Sequence, residues 1–105
     1  YGARAELARA ARLISQEVAE GTLAIEDIDQ KCVAGHLYTA DLPDPELLIR
    51  TSGELRLSNY LLWQLAYSEL YVTDTLWPDF DRWELLRAIR AFQGRDRRFG
   101  GVSAK

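Results

Sequence analysis

The sequence holds one cysteine, one histidine, three prolines and no methionine in 105 residues. A single thiol, Cys32, excludes an internal disulfide framework and a cysteine-rich zinc site; it suits a reducing compartment and reads as a small core residue. Long apolar runs are missing as well. No stretch approaches the roughly 20 apolar residues that a membrane span needs, and no basic-then-apolar signal segment opens the chain. Nor is there an excess of positive charge. Thirteen Lys and Arg stand against sixteen Asp and Glu, a formal net charge of −3, which argues against a general nucleic-acid binder. Methionine is absent even from the first position, Tyr1, and a helical pattern is already under way a few residues later, so a missing amino-terminal portion is expected.

What is present is a globular composition, 48% hydrophobic and 28% charged, on a length suited to no more than one domain. Leu7, Ala10, Ala11, Ile14 and Val18 recur at helical spacing and predict a helix over Ala3 to Glu20, which Gly21 stops in a left-handed position. A shorter helix is expected within "IEDIDQKCVAG". Pro43 and Pro45 mark a connection, and "ELLIR" after them is a bulky run without alternation, as in a strand buried on both faces. Ser58 or Asn59 can cap a new helix through "YLLWQLAYSEL", whose apolar character nearly all round predicts burial on two sides. "LYVTD" reads as the next strand. Asp81 with Glu84 forms a capping box, and Leu85, Leu86, Ile89 and Phe92 are expected to turn the last helix inward. Helices alternating with buried strands imply an α/β fold whose strands are parallel.

Chemistry concentrates at "LLIRTSGELRLSN". Ligands of open α/β sheets bind at the carboxyl ends of strands, where Arg50 falls. Arg50 and Arg56, six residues apart around Gly53, could converge on one polyanion, with Ser58 adding a hydroxyl at a helix start. Alternatively, both arginines are solvated or paired with Glu54 and Glu46. Glu69, eleven residues after Ser58 and on the same face of the expected helix, reads as a metal ligand or as a structural carboxylate paired with a local arginine. His36 reads as a surface or hydrogen-bonded residue. Tyr60, Trp63, Tyr67 and Tyr71 form an aromatic series suited to packing or an interface. The terminal "RDRRFGG" is either a phosphate-binding cluster or a helix-end charge cluster with a glycine stop.

The segment "LLIRTSGELRLSNYLLWQLAYSELYVTDTLWPDF", followed by "RDRRFGG", resembles the carboxyl-terminal half of the cis-prenyltransferases, above all bacterial isoprenyl transferases such as undecaprenyl diphosphate synthase. The similarity runs from "YGARAE" to about Val102. It implies the carboxyl-terminal portion of that fold, a central mostly parallel sheet flanked by helices, and an enzyme that condenses isopentenyl diphosphate with an allylic diphosphate, farnesyl diphosphate being the expected primer, to a cis-polyprenyl diphosphate with Mg²⁺. By the same resemblance Arg50, Arg56 and Ser58, with Leu57 between the last two, hold the diphosphate of isopentenyl diphosphate, and Glu69 is associated with Mg²⁺. Arg98 and Gly100 match an Arg-x-Gly motif that completes the site across a homodimer, whose interface would include the region around Trp63 and "LWPDF". A cytoplasmic protein working near the membrane face, in a pathway to the cell-wall carrier lipid, is implied. The family's catalytic aspartate motif, Asp-Gly-Asn-Gly-Arg, has no counterpart here, so no catalytic residue is assigned, and the fragment itself is expected to be inactive. A non-catalytic partner subunit supplying the carboxyl-terminal motif to an active relative is the alternative, and a stand-alone phosphate-binding module a third reading.

Overall fold

The computed structural model describes residues 2–95. The first helix, α1 (Ala3–Glu20), has the bounds its apolar period predicts. Gly21 adopts φ 80°, so that its N–H reaches Val18 O while Thr22 N–H reaches Glu17 O. This pair of bonds is a Schellman ending, which satisfies carbonyls the helix leaves open and needs the left-handed backbone glycine supplies. The next helical stretch is divided. A single 3₁₀ turn spans Ile25–Asp27, and α2 (Gln30–Gly35) begins only after Asp29, whose carboxylate accepts from Cys32 N–H at 2.8 Å. The aspartate caps a helix start inside the predicted element and so cuts it in two.

The chain forms two compact units. One comprises the residues up to Pro43 together with Asn59–Trp63. Its core is made by Ala3, Ala10 and Ile14 of α1 with Leu37. Glu6 lies among them, 1% exposed, and its carboxylate accepts the Tyr38 N–H at 2.9 Å. Cys32 is half-buried and free.

Gly2, the residue before α1, has no side chain to cap the helix, and Asn59 replaces it: the Asn59 carbonyl accepts from Ala3 N–H and its Oδ1 from Arg4 N–H, both at 2.8 Å. Asn59 is left-handed, φ 60°, a conformation asparagine tolerates better than most residues. Asn59→Gly, which keeps that backbone accessible but removes the cap, is expected to lower stability by about 1 kcal/mol, whereas Asn59→Asp keeps the acceptor and the stability; chemical denaturation of the three proteins measures this.

His36 joins α2 to α1. Its Nδ1 faces Cys32 O at 2.7 Å and its Nε2 faces a Glu17 carboxylate oxygen at 2.5 Å. Two acceptors on one ring favour the doubly protonated imidazolium. The Cys32 carbonyl and then the Glu17 carboxylate accordingly raise the His36 pKa, against burial and Arg9. Because the folded value lies above the unfolded one, near 6.5, this stabilisation is full below about pH 6.5 and is lost as pH rises through the folded value. An NMR titration should therefore place the His36 midpoint above that of an unfolded control, and Glu17→Gln should lower it.

The second unit comprises Asp44–Ser58 and the chain from Gln64 onward. Strands β1 (Leu47–Arg50) and β2 (Glu69–Val72) pair in parallel, with Leu47 opposite Glu69 and Arg50 opposite Val72. The pairing is prepared upstream: Ser68 Oγ donates to Pro45 O, and Glu69 N–H to Glu46 O at 2.9 Å. All four residues of β1 are half-buried rather than fully enclosed. Helix α3 (Arg82–Gln93) starts where expected, with Asp81 accepting from Glu84 N–H at 3.0 Å. The described hydrogen bonds include only this half of the capping box; the Glu84 carboxylate points instead to Thr75 and Arg87, which both donate to its Oε1.

Two expectations are corrected here. "YLLWQLAYSEL" is not a helix: residues 60–67 form successive turns, Ser58, Asn59 and Leu61 take φ of 55°, 60° and 45°, and Glu69 and Leu70 belong to β2. An apolar run with no polar face carries no helical period, so the strand partner and the turns decide its shape. The inward face of α3 also differs. Ala88 is fully buried, with Glu84 and Phe92 half-buried on the same stripe, whereas Leu85, Leu86 and Ile89 are exposed. Helix α3 packs against β2, and a small buried residue allows a helix to approach its neighbour closely.

Candidate functional site

Arg50 ends β1, at the carboxyl edge of the parallel pair, and is half-buried. Its Nη2 donates to Ser58 Oγ at 3.2 Å, closing the intervening loop. Its Nε is buried with no hydrogen-bond partner among the described residues. A buried guanidinium N–H without a partner is costly, while the guanidinium as a whole is only half-buried and can offer charge-assisted bonds to an anion.

The loop is shaped by its backbone. Ser52 and Gly53 are both left-handed, φ 62° and 66°, and their N–H groups donate to Thr75 O at 2.9 Å and Thr73 O at 2.8 Å. In return Thr73 N–H donates to Arg50 O at 3.0 Å, so the hydrogen bonding of the strand pair continues into the turn. A Cβ on Gly53 would sit 2.9 Å from Asp74 Oδ1. The sequence showed the glycine but not its partner, and nothing in the sequence picks out Ser52, Thr73 or Thr75.

The structure therefore brings Arg50 and Ser58 together. Arg56 and Leu57 belong to the same loop but are exposed; Arg56 is at 82% in solvent, with a loose pairing to Glu54 at 4.0 Å. Glu69 stands elsewhere. It begins β2 opposite Leu47, three residues from the level of Arg50, or about 10 Å along the strands. The expected helix face shared by Ser58 and Glu69 does not exist, since that segment is turns and strand. Glu69 pairs with Arg95 at 3.8 Å, and Arg95 also donates to Leu70 O. No group of three or more metal-ligating side chains occurs among the described residues. Mg²⁺ is commonly held by only one or two carboxylates, water and phosphate completing its shell, so a partly exposed Glu69 carboxylate fits that donor chemistry. Arg98 and Gly100 lie outside the described residues. No helix among the described residues is long and apolar enough to cross a membrane.

A parallel α/β strand pair with an arginine at its carboxyl edge matches the place where open α/β proteins bind their ligands. The chain belongs to the prenyltransferase family whose model is described as "Putative undecaprenyl diphosphate synthase", which matches residues 1–100. It is 59% identical over 105 residues to the isoprenyl transferase of Geobacillus kaustophilus, covering 100% of this chain and 41% of that protein. It is 60% identical over 102 residues to the isoprenyl transferase of Heliobacterium mobile, covering 97% and 39%. Among solved structures, lavandulyl diphosphate synthase from Lavandula x intermedia, crystallised in complex with dimethylallyl diphosphate, superimposes with a TM-score of 0.91 at 45% identity, over 95% of this chain and 43% of that one. The α/β fold with a parallel sheet and flanking helices is thus that of a cis-prenyltransferase. The chain spans about two fifths of the length of these relatives.

Proposed function

We propose that this chain is the carboxyl-terminal part of an isoprenyl transferase that condenses isopentenyl diphosphate with an allylic diphosphate, extending a polyprenyl chain with a cis double bond. The observation that carries this reading is Arg50: a half-buried guanidinium at a strand end, fixed by Ser58 on one nitrogen and unpaired on another. Such a group is ready to receive a diphosphate, and the isoprenoid diphosphate named for the lavandulyl diphosphate synthase complex supports that class of ligand.

In this reading Arg50 and Ser58 grip the diphosphate head of isopentenyl diphosphate, and the exposed Arg56 closes on it from the loop. Leu57 lines the same segment. Their work is binding and orientation: held by its head, the substrate presents its double bond to the allylic carbon, and positioning of this kind supplies much of a rate enhancement. Glu69 would hold Mg²⁺, exchanging Arg95 for the metal. When bound, Mg²⁺ stabilises negative charge developing on phosphate oxygens. Arg98 and Gly100 are proposed to reach the diphosphate across a homodimer. Exposed apolar residues such as Trp77 and Leu86 support an apolar partner surface on this unit. The proposed setting is cytoplasmic, at the membrane face where a polyprenyl product partitions, with farnesyl diphosphate as primer and cell-wall carrier lipid as the outcome.

Labelled isopentenyl diphosphate supplied with farnesyl diphosphate and Mg²⁺ to the full-length protein tests this. Label in an extractable polyprenyl product is expected. A folded full-length protein that incorporates none would turn the assignment to a non-catalytic partner subunit.

A further inference from the structure

Beyond β2 the chain makes a short turn, Thr73 to Thr75, that touches both the Arg50 loop and α3. A one-way series of side-chain bonds runs through it. Thr73 Oγ1 donates to Thr75 Oγ1 at 3.2 Å, and Thr75 Oγ1 donates to Glu84 Oε1 at 2.9 Å, where Arg87 Nη1 also donates at 3.1 Å. Thr75 N–H returns to Thr73 Oγ1 at 3.2 Å and closes the turn. A series of hydroxyls ending on a carboxylate is polarised along its length, and its last bond is charge-assisted.

The backbone of this turn is the template on which the loop rests. The carbonyls of Thr73 and Thr75 hold the N–H groups of Gly53 and Ser52, the two consecutive left-handed residues between Arg50 and Ser58. Ser52 is not glycine, so its φ of 62° is unfavourable by itself and persists because these bonds over-determine it. Rotation of the Thr75 peptide would release Ser52 and change the path from Arg50 to Ser58. The Thr75 hydroxyl, anchored on the first turn of α3, opposes that rotation. Both bonds to the Glu84 carboxylate, from Thr75 and Arg87, fall on Oε1, while Oε2 is buried with no hydrogen-bond partner among the described residues.

We propose that Thr75 is a positioning residue for the diphosphate site: through its bond to Glu84 it fixes the turn that holds Ser52 and Gly53, and thereby the placement of Arg50 and Ser58. Thr75 itself makes no contact with substrate. The inference rests on the assignment of Arg50 to the isopentenyl diphosphate head.

The test compares Thr75→Val, Thr75→Ser, Glu84→Leu, the Thr75→Val/Glu84→Leu double variant and Arg50→Ala in the full-length protein, with KM for isopentenyl diphosphate, kcat and the thermal midpoint measured for each. Thr75→Val keeps the β-branched shape and removes the hydroxyl. It is expected to raise KM by about three- to tenfold, the equivalent of one hydrogen bond, with kcat changed less than about twofold, as for the loss of uniform binding. Thr75→Ser restores the parent KM. Glu84→Leu raises KM in the same direction, and the double variant is no worse than the more severe single one, because each single substitution already breaks the shared Thr75–Glu84 bond. Should Thr75→Val fail to fold, Glu84→Leu reports on the same bond from its other end. A parent-like KM in both Thr75→Val and Glu84→Leu, with Arg50→Ala still impaired, would overturn the role of Thr75 and leave the site standing. A serine variant as impaired as valine would overturn it too. A parent-like KM in Arg50→Ala would remove the site assignment and this inference with it.

Discussion

Replacing Arg50 by alanine in the full-length protein is expected to raise KM for isopentenyl diphosphate and to lower kcat/KM by between about tenfold and about a hundredfold. The range follows from losing a charge-assisted contact to a substrate phosphate, about 1.5–3 kcal/mol. Steady-state kinetics with isopentenyl diphosphate varied at saturating allylic substrate measures it. Arg50→Lys should recover only part of the loss, because an ammonium keeps the charge but not the planar fork that bonds Ser58 and an anion together. Arg56→Ala makes an informative contrast. Arg56 is almost fully in solvent, so its removal should leave the thermal midpoint unchanged, and any rise in KM then reports contact with substrate alone. Arg50→Ala should instead lower the midpoint as well, since the same side chain ties the end of β1 to Ser58. Unchanged kinetics in both variants would remove the diphosphate from this loop.

Gly53→Ala is expected to destabilise the protein by about 2 kcal/mol and to impair substrate binding beyond that loss. A side chain at φ 66° costs about 1–2 kcal/mol, and its Cβ would press on Asp74 Oδ1 at 2.9 Å. Asp74 can swing away, so the clash adds less than a rigid backbone contact would. Relief by shifting the loop, however, breaks the bonds of Gly53 to Thr73 O and Ser52 to Thr75 O, and these hold the segment between Arg50 and Ser58. Denaturant unfolding together with KM separates the two effects. An alanine variant as stable as the parent would show that the loop adopts another conformation in solution.

Elements with their own local chemistry were legible in the sequence. Helix α1 has an uninterrupted apolar period and a glycine at its end, so both bounds follow from neighbours in the chain. The start of α3 at Asp81 and the short apolar strand ending in Arg50 are local in the same sense. The candidate site was half legible. A charged residue closing an apolar strand pointed to Arg50, and Ser58 was named beside it, yet their direct bond is a property of how the loop folds back. Glu69 was singled out as a carboxylate in an apolar run, but its surroundings were misread, because the helix assigned to that stretch is a set of turns running into β2.

What the sequence by itself determined about this protein is the first helix with its glycine stop, the start of the last helix, the parallel α/β class, and the arginine at the strand end. These depend on residues a few positions apart, whose steric and hydrogen-bonding preferences act before the chain is compact. Only the tertiary structure decided that Asn59 caps the start of α1, fifty-five positions away, that Ala88 rather than Leu85 or Leu86 faces inward, and that Thr75 and Glu84 meet beside the Arg50 loop. In each case a polar or small group is chosen by a partner distant in sequence. Which donor finds which acceptor is fixed only when packing brings them within about 3 Å, a distance no periodicity encodes.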